Sequence, residues 1–217
     1  MYLMSLIGRI LLAIAAITLV SCRISVTPVI SVTDLWDTSV RTVPVTISTE
    51  ARTCNKGVLD GIVREFSSFH KLTPLGCFEE GTKSLKPYWE TSIPLLRKGD
   101  EGKIPYLSAS IYYSQNNSII VTFNTAFYDK IKKHALDQGF GSEANIDLDF
   151  QILNNTDRPI RLATQGVFVN GNSSGNDMNI YEIRPGGKIW VRLSDVGVNS
   201  LLVEGIEPVG VLPARER

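Results

Sequence analysis

The chain opens with a short apolar run that decides in which compartment the remaining residues can fold. The run covers Ile10 to Val20, 11 residues, with Arg9 before it and Ser21 behind it. A positive charge, an apolar stretch and a small residue, in this order, are typical of a secretory signal peptide. A helix that spans a bilayer needs about 20 apolar residues, and extending the run back to Met1 would bury Arg9 at a cost of about 2.5 to 3.5 kcal/mol. The pattern therefore favours a leader that is removed on export over a permanent anchor.

The end of this run carries a resemblance to a known class of exported protein. The sequence Leu19-Val20-Ser21-Cys22 resembles the lipobox of bacterial lipoprotein precursors. The resemblance implies that the Cys22 thiol receives a diacylglyceryl group and that signal peptidase II cuts between Ser21 and Cys22. The next residue is Arg23, whereas an aspartate there tends to retain enteric lipoproteins in the inner membrane. The resemblance therefore favours the outer membrane, on its periplasmic or surface face, while an uncleaved anchor and an ordinary secretory signal remain the alternatives.

Length and charge limit what the exported part can be. Residues 22–217 are enough for one domain, which is our prediction, or for two subdomains meeting near residue 140. Lysine plus arginine and aspartate plus glutamate are equal, at 22 each. Binding to a nucleic-acid backbone requires a concentrated basic surface, and the most basic stretch, Lys130–His134, is better explained as the exposed face of a helix. We therefore expect no nucleic-acid partner.

Two cysteines remain once Cys22 is assigned to lipid. Cys54 and Cys77 enclose 22 residues, and in an oxidising compartment a disulfide between them is the first expectation. Such a bond would contribute about 3 to 4 kcal/mol through loop entropy. A metal site would need further ligands, and His70 and His134 show no ligand spacing with either cysteine. A nucleophilic thiol would need a base beside it. We predict a Cys54–Cys77 disulfide, with no metal and no cofactor.

Alternation of apolar and polar residues predicts strands through most of the exported chain. The predicted strands cover residues 24–32, 40–48, a stretch before the polar turn 97–102, 106–114, 118–123, 146–153, 160–163, 167–170, 178–183 and 188–193. Pro44 lacks a ladder donor, which predicts an edge position or a bulge. The asparagines at 116 and 117 predict a compact hairpin turn. The tail from Glu204 to Arg217 contains two prolines and is predicted to be frayed.

Two stretches show helical rather than alternating periodicity. Residues 56–70 and 126–138 carry apolar side chains three and four positions apart, which predicts amphipathic helices that pack on a core. Strands, two helices and a β-rich end together predict an α+β fold. We expect an antiparallel, β-rich, sandwich-like domain with two amphipathic helices.

Few side chains are candidates for chemistry. Asp147 and Asp149 lie two apart on a predicted strand, and hence on one face of it. Such a pair suits acid/base chemistry or calcium, but a solvated sheet face explains it more simply. The glycine-rich segment 170–177 is not followed by Gly-Lys-Ser/Thr and does not open a helix, so we interpret it as a mobile turn rather than a phosphate loop.

Several short motifs, taken together, resemble small lipoproteins carried by phages and prophages of enteric bacteria. They are Thr33-Asp34-Leu35, the cysteine pair with Cys77-Phe78, Ile93-Pro94-Leu95 and Asn154-Asn155. The resemblance brings no catalytic residues with it. With no assembled catalytic site in the sequence, we expect a lipid-anchored envelope protein that binds another envelope component, as in superinfection exclusion or modification of the host envelope.

Two functions follow from the sequence. The first is a binding protein without enzymatic activity, and the aromatic residues at 88, 89, 106, 112 and 113 suit an interface as well as a core. The alternative is an envelope hydrolase that uses Asp147, Asp149 or His70. The presence of only two histidines and the lack of a nucleophile elbow count against the hydrolase.

Overall fold

The computed structural model describes residues 22–49, 56–66, 71–80, 84–100, 109–124, 128–129, 133 and 144–212, and over these residues the chain is mostly β. Its strands are β1 (Cys22–Ser31), β2 (Thr42–Thr49), β3 (Thr73–Glu80), β4 (Ser84–Leu96), β5 (Ala109–Tyr113), β6 (Ser118–Phe123), β7 (Ala144–Leu153), β8 (Ile160–Thr164), β9 (Val167–Val169), β10 (Asn172–Ser173), β11 (Asn179–Ile183), β12 (Lys188–Leu193) and β13 (Ile206–Val211). Its helices are α1 (Val32–Trp36), α2 (Lys56–Phe66) and α3 (Asp195–Glu204).

These strands form one long, curled sheet. The order of neighbours is β10-β9-β12-β7-β1-β2-β4-β5-β6-β13-β8-β11, and β3 pairs with β4 beside this path. The pairs are antiparallel except β1 with β7 and β4 with β5, which are parallel. The sheet is therefore mixed, with antiparallel pairing dominant.

Strands β7 and β12 contribute to the core through alternate residues. In β7 the buried residues are Ile146, Leu148, Phe150 and Ile152, each no more than 7% exposed. In β12, Ile189, Val191 and Leu193 are buried in the same way. All of these belong to one hydrophobic cluster that also includes residues of β5, β6, β8 and β13. The predicted alternation of both strands is confirmed, and their remaining side chains form the opposite face of the sheet.

Strand β2 lies between β1 and β4, so the predicted edge strand is wrong, but Pro44 itself lies where β2 is paired on one side only. Strand β2 pairs with β4 from Thr42 to Ser48 and with β1 only from Val45 to Thr49. Pro44 is therefore one residue beyond the last pair with β1. The missing N–H costs little there, since β2 has a ladder partner on one side only at that position.

The chain after Ser194 differs most from the prediction. Where a frayed tail was expected from Glu204 onward, helix α3 ends at Glu204 and strand β13 follows it. Strand β13 lies between β6 and β8, and Val209 and Leu212 are at most 1% exposed. Pro208 is tolerated because the register with β6 shifts between Pro208 and Gly210, at an irregularity of the kind where proline is found. Residues 213–217 lie outside the described residues.

The predicted hairpin is confirmed, and the predicted helices are confirmed in part. Strands β5 and β6 are joined by the turn at 114–117, in which Asn117 has a φ of 59°, the left-handed geometry that asparagine tolerates. Helix α2 occupies the first part of the predicted 56–70 segment, and its Leu59 and Val63 pack against Leu72 and Trp89. Of the predicted helix 126–138 the structure describes residues 128, 129 and 133, all helical. Within the described ranges, every helix is too short or too polar to cross a bilayer.

Candidate functional site

The outer face of three neighbouring strands, β7, β12 and β9, carries aromatic, acidic and basic side chains close together. The ladder places Phe168 of β9 opposite Arg192 of β12, and Arg192 opposite Asp149 of β7. These three residues form a straight row across the strands. One step along, Trp190 of β12 lies opposite Gln151 of β7.

A cleft of about 770 Å³ opens on this face, and we call it the outer-face cleft. Its polar lining comes from Asp147, Asp149, Asn170, Arg192 and Asp195, and its aromatic lining from Phe168 and Trp190. Asp195 and Val198 belong to helix α3, which follows β12 directly and forms one wall. The volume is within the range of about 300 to 1,000 Å³ that ligand sites in proteins occupy.

Helix α3 is held in place as a wall by its own termini. Ser194 caps its start, accepting a hydrogen bond from the backbone N–H of Gly197 at 3.2 Å. Gly205 ends it in the left-handed conformation, with a φ of 77°, and donates its N–H to the carbonyl of Leu201. Leu201 is fully buried in the core. Both ends of the helix are therefore satisfied, which fixes Asp195 at the edge of the cleft.

Arg192 and Asp149 form a two-point ion pair in the floor of the cleft. Arg192 Nε is 2.7 Å from Asp149 Oδ1, and Arg192 Nη2 is 3.3 Å from Asp149 Oδ2. The arginine side chain is 49% exposed and the aspartate side chain 18% exposed. An ion pair as open to solvent as this one stabilises a fold by about 1 kcal/mol or less. Its main effect is to fix the orientation of both planar groups.

Trp190 is an exposed aromatic side chain on a rigid backbone. Its indole is 41% exposed, although tryptophan is usually well buried. Its backbone N–H donates to Asn170 Oδ1 at 3.0 Å, and its carbonyl accepts from the N–H of Asn170 at 2.9 Å. The ammonium of Lys188 lies 5.8 Å from the ring centroid. Phe168, in the neighbouring strand, is 37% exposed.

The cleft brings together some of the residues that the sequence singled out, but not as a catalytic pair. Asp147 and Asp149 share a face, as expected, and both line the cleft. Asp149 is bonded to Arg192, which neutralises it. Within the described ranges, no group of three or more His, Cys, Asp or Glu side chains could hold a metal ion. His70 and His134 lie outside the described residues.

Two of the three cysteines, Cys22 and Cys77, lie in the described part of the chain. Cys22 is the first residue of β1, opposite Ala144 of β7. Cys77 lies in β3 and is disulfide-bonded. Its predicted partner, Cys54, lies outside the described residues, and so does the predicted leader, residues 1–21. That Cys54 is the disulfide partner of Cys77, and that Cys22 carries a lipid, both stay predictions.

Sequence reasoning missed Trp190, Arg192 and Phe168. It left the aromatic residues in the middle of the chain open to an interface or to the core, and Trp89, 1% exposed, and Tyr113, 9% exposed, belong to the core. The available signal was the alternation of Lys-Ile-Trp-Val-Arg-Leu at 188–193, which puts a tryptophan on the polar side of a strand. The mobile turn expected at 170–177 is instead bonded at several points, among them Ser174 Oγ, which accepts from the N–H of Val167 at 3.0 Å.

Comparison with protein families gives a match over most of the chain. A family model described as "Domain of unknown function (DUF7424)" matches residues 24–216, nearly all of the described structure. No curated protein and no solved structure matches the chain.

Proposed function

The chain belongs to the DUF7424 family of domains of unknown function, and on that premise we propose from its own site that it is a lipid-anchored binding protein of the bacterial envelope. The observation that carries the proposal is the outer-face cleft, in which an exposed tryptophan lies beside an oriented arginine–aspartate pair. A concave site with exposed aromatics and a few fixed polar groups is the usual form of a recognition site. The pairing of Asp149 with Arg192 supports binding rather than acid/base chemistry, because the carboxylate is already engaged.

The anchor supports this function through its distance from the cleft. Strand β1 starts at Cys22, and its Ser25 is paired with Asp147 at one end of the cleft. Three residues of extended chain cover about 10 Å. A lipid on Cys22 would therefore hold the cleft close to the membrane without an intervening tether. The absence of aspartate after Cys22 favours the outer membrane, where the partner would be another envelope component.

We also infer a sandwich-like arrangement of the curled sheet. The strand path has two parts, β10-β9-β12-β7-β1-β2-β4 and β5-β6-β13-β8-β11, linked by the short β4–β5 pairing. Buried residues of both parts belong to a single cluster. Two sheet faces that share one core are the defining feature of a sandwich.

The proposal is tested by photocrosslinking in intact cells. A photoreactive phenylalanine analogue replaces Phe168 in the cleft, and the matched control carries it at Phe78, which is 58% exposed on β3. We expect an envelope component to crosslink from position 168 and not from position 78. The same partner recovered equally from both positions would contradict recognition by the cleft.

The phage-related part of the proposal has its own test. Cells expressing the protein are challenged with a phage panel, beside cells expressing Arg192→Ala. We expect reduced plating of at least one phage, restored by the substitution. Equal plating of every phage on both strains and on cells without the protein would contradict a role in superinfection exclusion. Whether the cleft binds a partner would then be decided by the crosslinking result.

A further inference from the structure

We propose that the outer-face cleft binds an oligosaccharide that carries no acidic groups. This inference rests on the proposed function, since it names the class of ligand for the same cleft. Its first support is the arrangement of the two exposed aromatic side chains. Trp190 lies two residues before Arg192, the partner of Phe168, so the two rings are diagonal neighbours on adjacent strands. Such positions are about 7 to 8 Å apart at the backbone, within reach of aromatic side chains.

Flat aromatic surface of this kind suits a sugar ring. The face of a pyranose presents C–H groups that stack on an indole or a phenyl ring, and this contact requires no charge on the ligand. Both rings are exposed, 41% for Trp190 and 37% for Phe168, while their backbones are fixed by ladder bonds. The surface is therefore formed before the ligand arrives, which reduces the entropy lost on binding.

The polar groups around the rings suit sugar hydroxyls. Asp149, Arg192 and Asn170 each end in a planar group with two or more hydrogen-bonding atoms. Hydroxyls on neighbouring carbons of a pyranose donate and accept side by side, and one planar group can bond two of them at once. The ion pair between Arg192 and Asp149 holds two of these groups in fixed orientation, at 2.7 and 3.3 Å.

The charged groups in the described lining of the cleft disfavour acidic ligands. Its described lining contains the carboxylates of Asp147, Asp149 and Asp195 against the single guanidinium of Arg192. Even with Lys188, whose ammonium is beside Trp190, the carboxylates are in excess. Phosphate, sulfate or uronate groups would meet net repulsion in such a site. A neutral or amine-bearing oligosaccharide would not.

A peptide fits the cleft less well than a sugar. Extended peptides commonly bind by adding a strand to a free sheet edge. The floor of the cleft offers no such edge, because β7 lies between β1 and β12, β12 between β7 and β9, and β9 between β12 and β10. Recognition there must come from the groups that line the cleft, and these include two aromatic rings and several planar polar groups besides the aliphatic Ile146, Leu193 and Val198.

The test uses the fluorescence of Trp190. The chain has three tryptophans; Trp89 is 1% exposed and Trp36 is half-buried, so a collisional quencher such as acrylamide reports mainly on Trp190. The full chain, purified in an amine-oxide detergent that carries no sugar, is titrated with cellohexaose, maltohexaose, chitohexaose and its de-acetylated amine form. A heparin hexasaccharide serves as the acidic comparison. We expect saturable protection of Trp190 by at least one neutral or amine-bearing sugar and none by heparin.

Variants assign the signal to the cleft. In calorimetric titration, Trp190→Ala and Phe168→Ala should each weaken binding about tenfold or more, and Phe78→Ala, an exposed aromatic outside the cleft, should leave it unchanged. Trp190→Phe keeps a ring and should retain most of the affinity, which separates stacking from misfolding.

Three outcomes would overturn the inference. The first is that no neutral or amine-bearing sugar protects Trp190 from the quencher. The second is that heparin binds as strongly as these sugars or more strongly. The third is that sugar binding is unchanged in both Trp190→Ala and Phe168→Ala. If crosslinking from position 168 instead recovers a protein whose binding no sugar displaces, the cleft remains a recognition site and only the sugar is wrong. If crosslinking is equal from positions 168 and 78 while a sugar still protects Trp190, the proposed envelope partner is contradicted and the proposed sugar site is retained.

Discussion

The side-chain amide of Asn154 donates a hydrogen bond to the backbone carbonyl of Ile183 at 2.8 Å, across 29 residues of chain. Asn154 is fully buried, and its amide also donates to the carbonyl of Arg158 at 2.8 Å. Its carbonyl oxygen Oδ1 accepts from the N–H and the hydroxyl of Thr156. One side chain thus joins the end of β7, the turn after it and the end of β11.

Replacing Asn154 with alanine should lower the free energy of unfolding by about 2 to 3 kcal/mol, because it removes the side-chain donor of the buried Ile183 carbonyl and the acceptor of the Thr156 N–H. Urea denaturation measures the change. Asn116→Ala, an exposed position in the β5–β6 turn, is the matched control and should change stability by about 0.5 kcal/mol or less. Equal effects of the two substitutions would show that the Asn154 bonds do not determine stability.

Arg97 holds helix α1 through three backbone carbonyls. Its Nη1 donates to Val40 at 2.6 Å, and its Nη2 donates to Asp34 and Asp37 at 2.7 Å each. Burial lowers the pKa of the guanidinium, and the nearby Arg41 lowers it further. The side chain remains cationic, and it lies at the carboxyl end of a helix, where positive charge is favourable.

Arg97→Lys keeps the charge but loses the planar fork, so it should destabilise the protein by about 1 to 3 kcal/mol. Thermal and urea unfolding measure this loss, and Lys98→Met, at the exposed neighbouring position, is the control. If lysine at position 97 supports full stability, the charge alone is sufficient and the three-carbonyl geometry is not needed.

Glu207 should make stability depend on pH in the direction opposite to a salt-bridged carboxylate. Burial raises its pKa above the ordinary value of 4.5, and Glu204 raises it further, while a hydrogen bond from Ser200 lowers it. The folded state therefore binds a proton more readily than the unfolded chain. The contribution to stability is present below pH 4.5 and is lost as the pH rises through the folded pKa.

The substitution Glu207→Gln removes this dependence. We expect the variant to gain in melting temperature relative to the native protein as the pH is raised from 4 to 8. Glu182→Gln, exposed on β11, controls for the loss of one negative charge. A native-minus-variant difference that is flat across this range would refute the raised pKa.

Local patterns were sufficient to predict individual strands, but not their neighbours. The buried alternation of β7 and the positive φ of Asn117 both follow from residues adjacent in sequence. Helix α1 could not be predicted from neighbouring residues, because its cap comes from a distant part of the chain. Its N-cap residue, Ser31, makes no side-chain cap bond, and the N–H of Thr33 instead donates to Asn155 Oδ1, 122 residues away. No local signal identifies a cap supplied by another part of the fold.

The cleft was beyond sequence reasoning for the same reason. Each of its strands contributes one or two outward side chains, and only the register places Phe168, Arg192 and Asp149 in one row. If one of these strands shifted by one residue in register, its buried side chains would turn to the outer face of the sheet. The β13 error has a different cause. Pro208 and Gly210 disfavour a strand locally, but burial of Val209 and Leu212 outweighs that preference.

The Asp149–Arg192 pair should matter far more for binding than for stability. A double-mutant cycle with Asp149→Ala and Arg192→Ala should give a coupling energy of about 0.5 to 1 kcal/mol for unfolding, because the pair is partly exposed. Urea denaturation of the four proteins measures it. The cycle also shows that the cleft variants are folded. A coupling energy above about 3 kcal/mol would mean that the pair acts as a buried structural element instead.

Replacing Cys22 with alanine should leave the chain as an unprocessed precursor without lipid. The lipobox resemblance implies that the Cys22 thiol accepts the diacylglyceryl group and that signal peptidase II acts only after this transfer. Growth with labelled palmitate and comparison of masses report both steps. Cys77→Ala is the matched control, since Cys77 lies in β3 and is disulfide-bonded; it should still be lipidated and processed. Label entering the Cys22→Ala chain as well as the native chain would show that the lipid is attached elsewhere, and the short distance between membrane and cleft would no longer follow.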